Sequence, residues 1–256
     1  MITSTQNSKI KLVRALMGRA KERRQSNAFV VEGVRLIEEA LTRDWRFEIA
    51  LYDESLNERG KTLIEKLIAR GAETEEVSPS LMKTLSDTET PQGILAILDD
   101  ARIQIPDSLN FVLILDQIRD PGNLGTLLRT AAATGVQAVL LPPETTDAFA
   151  PKVVRSGMGA HFQLPIHTMK WNEIREQTKD LQIYLADMEG QSCWETDLLQ
   201  PLALIIGGEA EGASEEARNL ATQKISIPMA GNVESLNAAV AGSMLMFEVV
   251  RQRSNV

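Results

Sequence analysis

Ile227-Pro-Met-Ala-Gly-Asn-Val-Glu-Ser-Leu-Asn237 is the stretch on which the fold turns. A short β-type run over 224–229 breaks on Pro228 and Gly231. The chain then delivers Ser235 and Asn237 to a long helix, expected over 235–252 and built largely of small and apolar residues. Strand end, tight backbone, polar helix N-terminus: this order builds ligand sites. The first N–H groups of a helix have no partner within it and face outward. Two segments upstream share the layout.

The first is Asp116-Gln-Ile-Arg-Asp-Pro-Gly-Asn-Leu-Gly-Thr-Leu-Leu-Arg129. It leaves an apolar strand, turns through Pro121-Gly122, and is expected to enter a helix at Asn123, a good N-cap residue. Arg129 then lies nearly two turns into that helix, at about 3.6 residues per turn. Taken alone, it reads more readily as a surface arginine on a connecting helix. The second is Ile206-Gly-Gly-Glu-Ala-Glu-Gly212. Its adjacent glycines let the chain pass close to a flat ligand. It is neither the dinucleotide fingerprint G-x-G-x-x-G, which fails at Glu209, nor a phosphate loop, since no Gly-Lys-Ser/Thr occurs. A glycine-rich turn by itself is weak evidence, because many are only tight turns.

The strands feeding these segments are telling. Residues 111–116, 138–142 and 202–207 are continuous apolar runs without alternation, as expected of strands buried on both faces of a parallel sheet. Weaker strands are expected over 162–166, 183–188 and 224–227, with helices over 123–134, 148–158, 171–180 and 214–222. That alternation predicts an α/β fold with an open parallel sheet. Residues 1–100 predict a smaller α/β unit. Leu12, Leu16 and Ala20 suggest a first helix, 29–32, 47–52 and 93–98 are strands, and Ser78-Pro79 opens a helix. The polar stretch 101–110 is read as a linker, and 111–256 as the second domain.

Composition narrows the function. The 256 residues contain one cysteine and two histidines, so a disulfide framework and a cysteine or histidine metal site are both disfavoured. No apolar run approaches the roughly 18 residues of a membrane span, and no signal sequence is apparent. The expectation is a cytoplasmic protein without metal. Net charge is −8, yet residues 1–35 carry eight basic side chains against two acidic ones. That segment stands at +6 and the rest at −14, a split that points to a polyanion held by one region. A solvated basic helix face would account for the same charges.

Jointly the three segments, N-x-G-x-x-x-R, G-x-E-x-x-G about eighty residues later, and I-P-M-x-G followed by S-L-N, resemble the SpoU/TrmH family of RNA ribose methyltransferases. Gln6-Asn-Ser-Lys-Ile-Lys11, Phe29-Val-Val-Glu-Gly33 and Pro91-Gln-Gly-Ile94 resemble the substrate-binding domain of its rRNA-directed members, which has a ribosomal-protein-like fold. The resemblance implies a C-terminal trefoil-knotted parallel-sheet domain of SPOUT type behind the N-terminal RNA-binding domain. It also implies a homodimer formed through the knotted region.

S-adenosyl-L-methionine is the implied cofactor. Carried over, its contacts fall on Gly207, Ile227 and Leu236, with Leu141, Met229 and Gly212 nearby. The implied reaction moves a methyl group from the sulfonium to a ribose 2′-hydroxyl, and only RNA offers that acceptor. Arg129 is the family's proposed base. A guanidinium holds its proton beyond about pH 12, so a cationic role toward phosphate and developing alkoxide is the chemically simpler one. Asn123 would orient Arg129, Ser235 and Asn237 would shape the pocket, and Glu209 would hold a loop in place. Lys9, Lys11, Arg23, Arg24 and Arg35 would grip RNA phosphates. The separate N-terminal domain favours rRNA over tRNA as acceptor. A non-catalytic RNA-binding protein of the same fold is the rival from another class.

Overall fold

In the computed structural model of the chain, the described residues are 1–100, 103–208 and 212–254. Two compact units emerge, one comprising 1–101 with 149–162, the other 102–148 with 163–256.

The first unit is a four-stranded mixed sheet. Its strands β1 (Ala28–Glu32), β2 (Phe47–Tyr52), β3 (Glu73–Glu76) and β4 (Ile94–Asp99) are ordered β1-β4-β2-β3. Strand alternation sends Phe29, Val31, Ala96 and Leu98 to one face, against α3 (Val34–Thr42) and α4 (Glu58–Ala69). Val30, Ile49, Leu51 and Ile97 go to the other, against α1 (Ser8–Gly18) and α5 (Pro79–Leu85). β3 is not expected from sequence, because Glu-Thr-Glu-Glu carries no apolar signal; its backbone pairing to β2 makes it a strand. In α1 the buried residues are Ile10, Val13 and Leu16, while Leu12 is exposed. Arg19, in extended conformation, ends that helix and starts α2 (Ala20–Ser26).

Residues 149–162, which the sequence pattern assigns to the second domain, pack with this first unit. Val154 and Phe162 join the α3/α4 core, and α7 (Pro151–Gly157) lies against the edge strand β1. Apolar burial decides the membership, and an edge strand gains a cover. Residue 162, expected to open a strand over 162–166, instead ends a 3-10 turn (Ala160–Phe162), and the strand follows at Ile166–Thr168.

Arg23 has a structural place. It is buried at 6% exposure, and its guanidinium donates to the carbonyl oxygens of Leu16 and Met17 at the end of α1. Those last-turn carbonyls otherwise lack partners. Replacing Arg23 with alanine should therefore cost about 1.5–3 kcal/mol, the range for a hydrogen bond to a charged group. A lowered denaturant midpoint would report it, and an unchanged midpoint would refute the capping role.

The second unit is a six-stranded sheet, every pairing parallel: β5 (Phe111–Leu115), β6 (Ala138–Leu141), β7 (Ile166–Thr168), β8 (Gln182–Ser192), β9 (Leu202–Ile206) and β10 (Gln223–Ser226). The order is β10-β8-β9-β5-β6-β7. The fully buried runs of β5, β6 and β9 form its centre, as their unbroken apolar sequences require. Helices α6 (Pro121–Ala133), α8 (Trp171–Gln177), α9 (Glu215–Leu220) and α10 (Ala238–Arg253) complete it. Gly242 of α10 sits where a Cβ would lie 2.5 Å from Leu127 of α6. The small residues of α10 therefore serve packing within the chain.

Candidate active site

The strand order fixes where a ligand can go. From β5 the chain runs to β6 and β7 on one side, while β8, β9 and β10 lie on the other. In open parallel sheets, the crevice beyond the C-terminal strand ends at such a switch point is where ligands bind. Leu115 pairs with Ile206 and Ile114 with Leu140, so the loops after β5, β6 and β9 leave from adjacent strand ends.

These loops are stitched together. Gln117 adopts a left-handed conformation (φ 56°), and its N–H donates to Thr145 Oγ1 at 3.0 Å. The Thr145 hydroxyl donates onward to the Leu115 carbonyl at 2.8 Å, and that of Thr146 to the Arg119 carbonyl at 2.6 Å. The glycine turn is held as tightly. A Cβ on Gly207 would fall 2.6 Å from the Ala213 nitrogen, and one on Gly208 would fall 2.7 Å from the Gln117 oxygen. Gly212 takes φ +71° and pairs with Gly208, whose N–H donates to its carbonyl at 3.1 Å. Only glycine allows these approaches.

Asp116, to which the sequence pattern gives no role, joins the β5 end to the far side of the turn. Its carboxylate accepts the Ser214 N–H at 2.7 Å, and its own N–H donates to the Ile206 carbonyl at 2.9 Å. Asp116 is only 1% exposed, and burial pushes its carboxyl up against the opposing pull of the Ser214 N–H. An apolar strand that ends on a buried aspartate was the available signal.

The third segment closes the site. Asn237 caps α10, its Oδ1 accepting from Ala239 N–H at 2.9 Å and Val240 N–H at 3.2 Å. With the oxygen committed to the cap, the amide Nδ2 donates to Asn123 Oδ1 at 3.0 Å. The first and third segments are thus joined side chain to side chain.

Two helix starts differ from expectation. The α6 cap is Asp120, which accepts the Asn123 N–H at 2.8 Å, with Pro121 at the first helical position. Aspartate before proline is the stronger start, so Asn123 lies inside the first turn. The third-segment helix begins after Asn237, leaving Ser235 exposed in the preceding loop.

Arg129 is exposed on α6, and no hydrogen bond or ion pair joins its side chain to another described residue. The Asn123 oxygen expected to orient it is directed to Asn237 instead. Leu141 is buried at the end of β6, Ile227 and Leu236 are half-buried, and Met229 is exposed. Glu209 lies outside the described residues.

Of the basic residues expected to hold RNA, Lys11, Arg24 and Arg35 are exposed. Lys9 is engaged by Glu73 at 2.6 Å and by Glu75, and Arg23 is the buried cap. Sequence spacing could not reveal either pairing, because Lys9 meets β3, and Arg23 the end of α1, only on folding. Among the described residues no His, Cys, Asp and Glu side chains group as a metal ion would need. No helix there is long and apolar enough to cross a membrane.

Comparison with known proteins agrees with this geometry. Residues 110–247 match the SpoU rRNA methylase family, and 7–96 match the MRM3-like substrate binding domain. The 23S rRNA (guanosine(2553)-2′-O)-methyltransferase RlmP of Bacillus subtilis is 33% identical, spanning 97% of this chain and 98% of that protein. The SpoU methyltransferase AviRb of Streptomyces viridochromogenes, solved with its cofactor AdoMet, superimposes with a TM-score of 0.85. It is 30% identical over 98% of this chain and all of its own. An AdoMet-bound rRNA methyltransferase from Sinorhizobium meliloti gives a TM-score of 0.86, at 30% identity over 98% of this chain and 97% of its own. With its three segments meeting at the switch point of a parallel sheet, the chain belongs to the SpoU rRNA methylase family and is an S-adenosylmethionine-dependent RNA methyltransferase.

Proposed function

We propose that this enzyme methylates a ribose 2′-hydroxyl of large-subunit ribosomal RNA. The observation that carries the reading is the convergence of the loops after β5, β6 and β9, closed by the Asn123–Asn237 bond. Half-buried Ile227 and Leu236 suit the adenine face of S-adenosylmethionine, and Gly207 and Gly208 let the turn beside them close on Ala213 and Gln117. Leu141, Gly207, Gly212, Ile227, Met229 and Leu236 would hold the cofactor, which supplies an electrophilic methyl group on a sulfonium.

The protein's own task is alignment and charge. As the 2′-oxygen would bond to the methyl carbon, the carbon–sulfur bond would break to leave a neutral thioether, the hydroxyl proton would pass to water, and negative charge would develop on the oxygen. Arg129, with no carboxylate paired to it among the described residues, offers a full cation to the adjoining phosphate and the developing alkoxide. Asn123 and Asn237 hold the first and third segments in register, and Ser235 borders the acceptor. Alignment of this kind supplies up to about 7–11 kcal/mol in the best cases.

The trefoil knot belongs to the same reading. What supports it is that, after the edge strand β10, the chain returns to pack α10 on α6.

So does the homodimer. Val240, Met244 and Phe247 are 49%, 38% and 54% exposed at helical spacing on α10. Phe247→Glu is expected to halve the solution mass, from a dimer of 28.2 kDa chains to a monomer, and to lower activity at least 10-fold. An unchanged mass by light scattering would refute this interface. The same reading puts the enzyme in the cytoplasm, with the ribosomal RNA it would modify.

The test is incubation with labelled S-adenosylmethionine and separated rRNA and tRNA from a strain lacking the protein, with mass mapping of nuclease fragments. Label in one large-subunit fragment as a 2′-O-methyl nucleotide is expected. Label in tRNA would overturn the acceptor, and cofactor binding without any label would favour a non-catalytic RNA-binding role.

A further inference from the structure

A cleft of about 380 Å³ opens in the first unit, between α1, the end of α5 and the start of α7, and all its lining residues belong to that unit. Its walls are of two kinds. Met17, Leu85 and Pro151 give an apolar surface, and Arg14 and Lys152 give two cations.

The cations are not equivalent to the other basic residues nearby. The guanidinium of Arg14 is braced by one hydrogen bond, from Nη2 to Thr84 Oγ1 at 3.0 Å, and has no carboxylate partner among the described residues. Lys152 is exposed, and its ammonium pairs with no described residue. Arg155, by contrast, is committed to Asp87 at 3.1 Å and to Glu32 at 3.9 Å. The single guanidinium offsets one of those two carboxylates, so the two cations of the cleft still leave it with net positive charge. Lys11 precedes Arg14 by one helical turn and extends the basic face along α1.

We infer that this cleft holds one unstacked nucleotide of the RNA substrate. Arg14 and Lys152 would contact its flanking phosphates, and its base would lie on Met17, Leu85 and Pro151. The chemistry is that of single-stranded RNA recognition. A splayed base needs an apolar or guanidinium plane to lie on, its phosphates need unpaired cations, and a small cleft excludes a duplex. The Asp87 carboxylate at the rim, fixed by Arg155, is an acceptor for base N–H groups and favours guanine or cytosine over uracil.

The inference rests on RNA being the substrate, and it gives the basic N-terminal segment a defined place. Of the cations at this site, the sequence pattern singles out only Lys11. Lys152 comes from the region after β6 and enters the first unit only because 149–162 pack there.

The test compares the full-length wild type with the double variant Arg14→Gln, Lys152→Gln and with Lys152→Gln alone. Lys61→Glu, on α4 at the opposite sheet face, is the control. Binding of a mixed-sequence single-stranded decaribonucleotide and of its blunt duplex is followed against salt. The double variant should bind the single strand at least 10-fold more weakly, with unchanged S-adenosylmethionine affinity and melting temperature. Its salt slope should fall by about 0.7 for each phosphate no longer held. Lys152→Gln, which removes an exposed side chain paired with no described residue, should show one such step without any cost in folding. Asp87→Asn should narrow the preference for guanosine- and cytidine-containing decamers over oligouridylate.

Wild-type affinity and slope in both glutamine variants would overturn the cleft assignment, and so would equal losses in Lys61→Glu. If the wild type also methylates rRNA, the proposed function survives that failure. Conversely, absence of rRNA methylation by the wild type would sink the function while leaving the cleft measurement to stand on its own.

Discussion

Arg129→Ala is expected to lose methyl transfer by about 10²–10³-fold, the range for deleting one preorganised group that stabilises transition-state charge. Binding of S-adenosylmethionine should not change, because the proposed cofactor contacts lie at the end of β6, on the glycine turn and on the 227–236 loop. Stability should not change either. The Arg129 side chain is exposed and joined to no described residue by hydrogen bond or ion pair, and surface substitutions of that kind stay within about 0.5 kcal/mol. Arg129→Lys separates the possible roles. A cation that only balances charge survives as lysine with part of the rate, whereas a bidentate grip on phosphate is lost. Single-turnover methylation of 23S rRNA with cofactor in excess is the measurement. Wild-type turnover in the alanine variant would remove Arg129 from the chemistry.

The second large effect is structural and falls on Gly190. Strand β8 pairs with β10 through Leu185 and Lys224, then jumps so that Ile225 faces Gln191. At the jump the two backbones nearly touch: a Cβ on Gly190 would lie 2.5–2.6 Å from the nitrogen, Cα and carbonyl carbon of Ile225. The Ser226 hydroxyl donates to the Gly190 carbonyl at 2.8 Å, and the Cys193 N–H to the Ser226 carbonyl at 2.8 Å, so neither strand is free to retreat. Overpacking against side chains costs about 1–3 kcal/mol. Here the obstacle is backbone, so Gly190→Ala should cost about 3 kcal/mol or more, and Gly190→Val should fail to fold. Total stabilities of roughly 5–15 kcal/mol leave little room for that. Gly18→Ala, where an added Cβ would meet nothing within 4 Å, should be neutral or slightly stabilising. Urea midpoints of the two alanine variants decide the matter, and equal midpoints would show that the β8–β10 crossing can relax.

The N-terminal segment shows where reading residues one at a time fails. Lys9, Lys11, Arg23 and Arg24 look alike in sequence, yet folding sorts them. Lys9 meets two glutamates of β3, Arg23 turns inward to cap α1, and Lys11 and Arg24 stay exposed. Charge counting sees valence but not partners. Asn123 is the same lesson within the site. Its type and place in the segment were legible, but its partner is Asn237, more than a hundred residues away, and the cap geometry of α10 selects it.

Sequence alone determined the parallel sheet, because β5, β6 and β9 are apolar on every residue and can be buried only with helices on both faces. It also determined the three segments at strand ends and the family they belong to, since glycines, caps and turn residues act locally. Tertiary structure decided the rest. It placed 149–162 with the first unit, made a strand of Glu73–Glu76, tied Asp116 to Ser214, and brought Asn123 to Asn237. Each of these depends on backbone pairing, apolar burial or hydrogen bonding between residues distant in the chain, and local composition carries no record of which distant group will arrive.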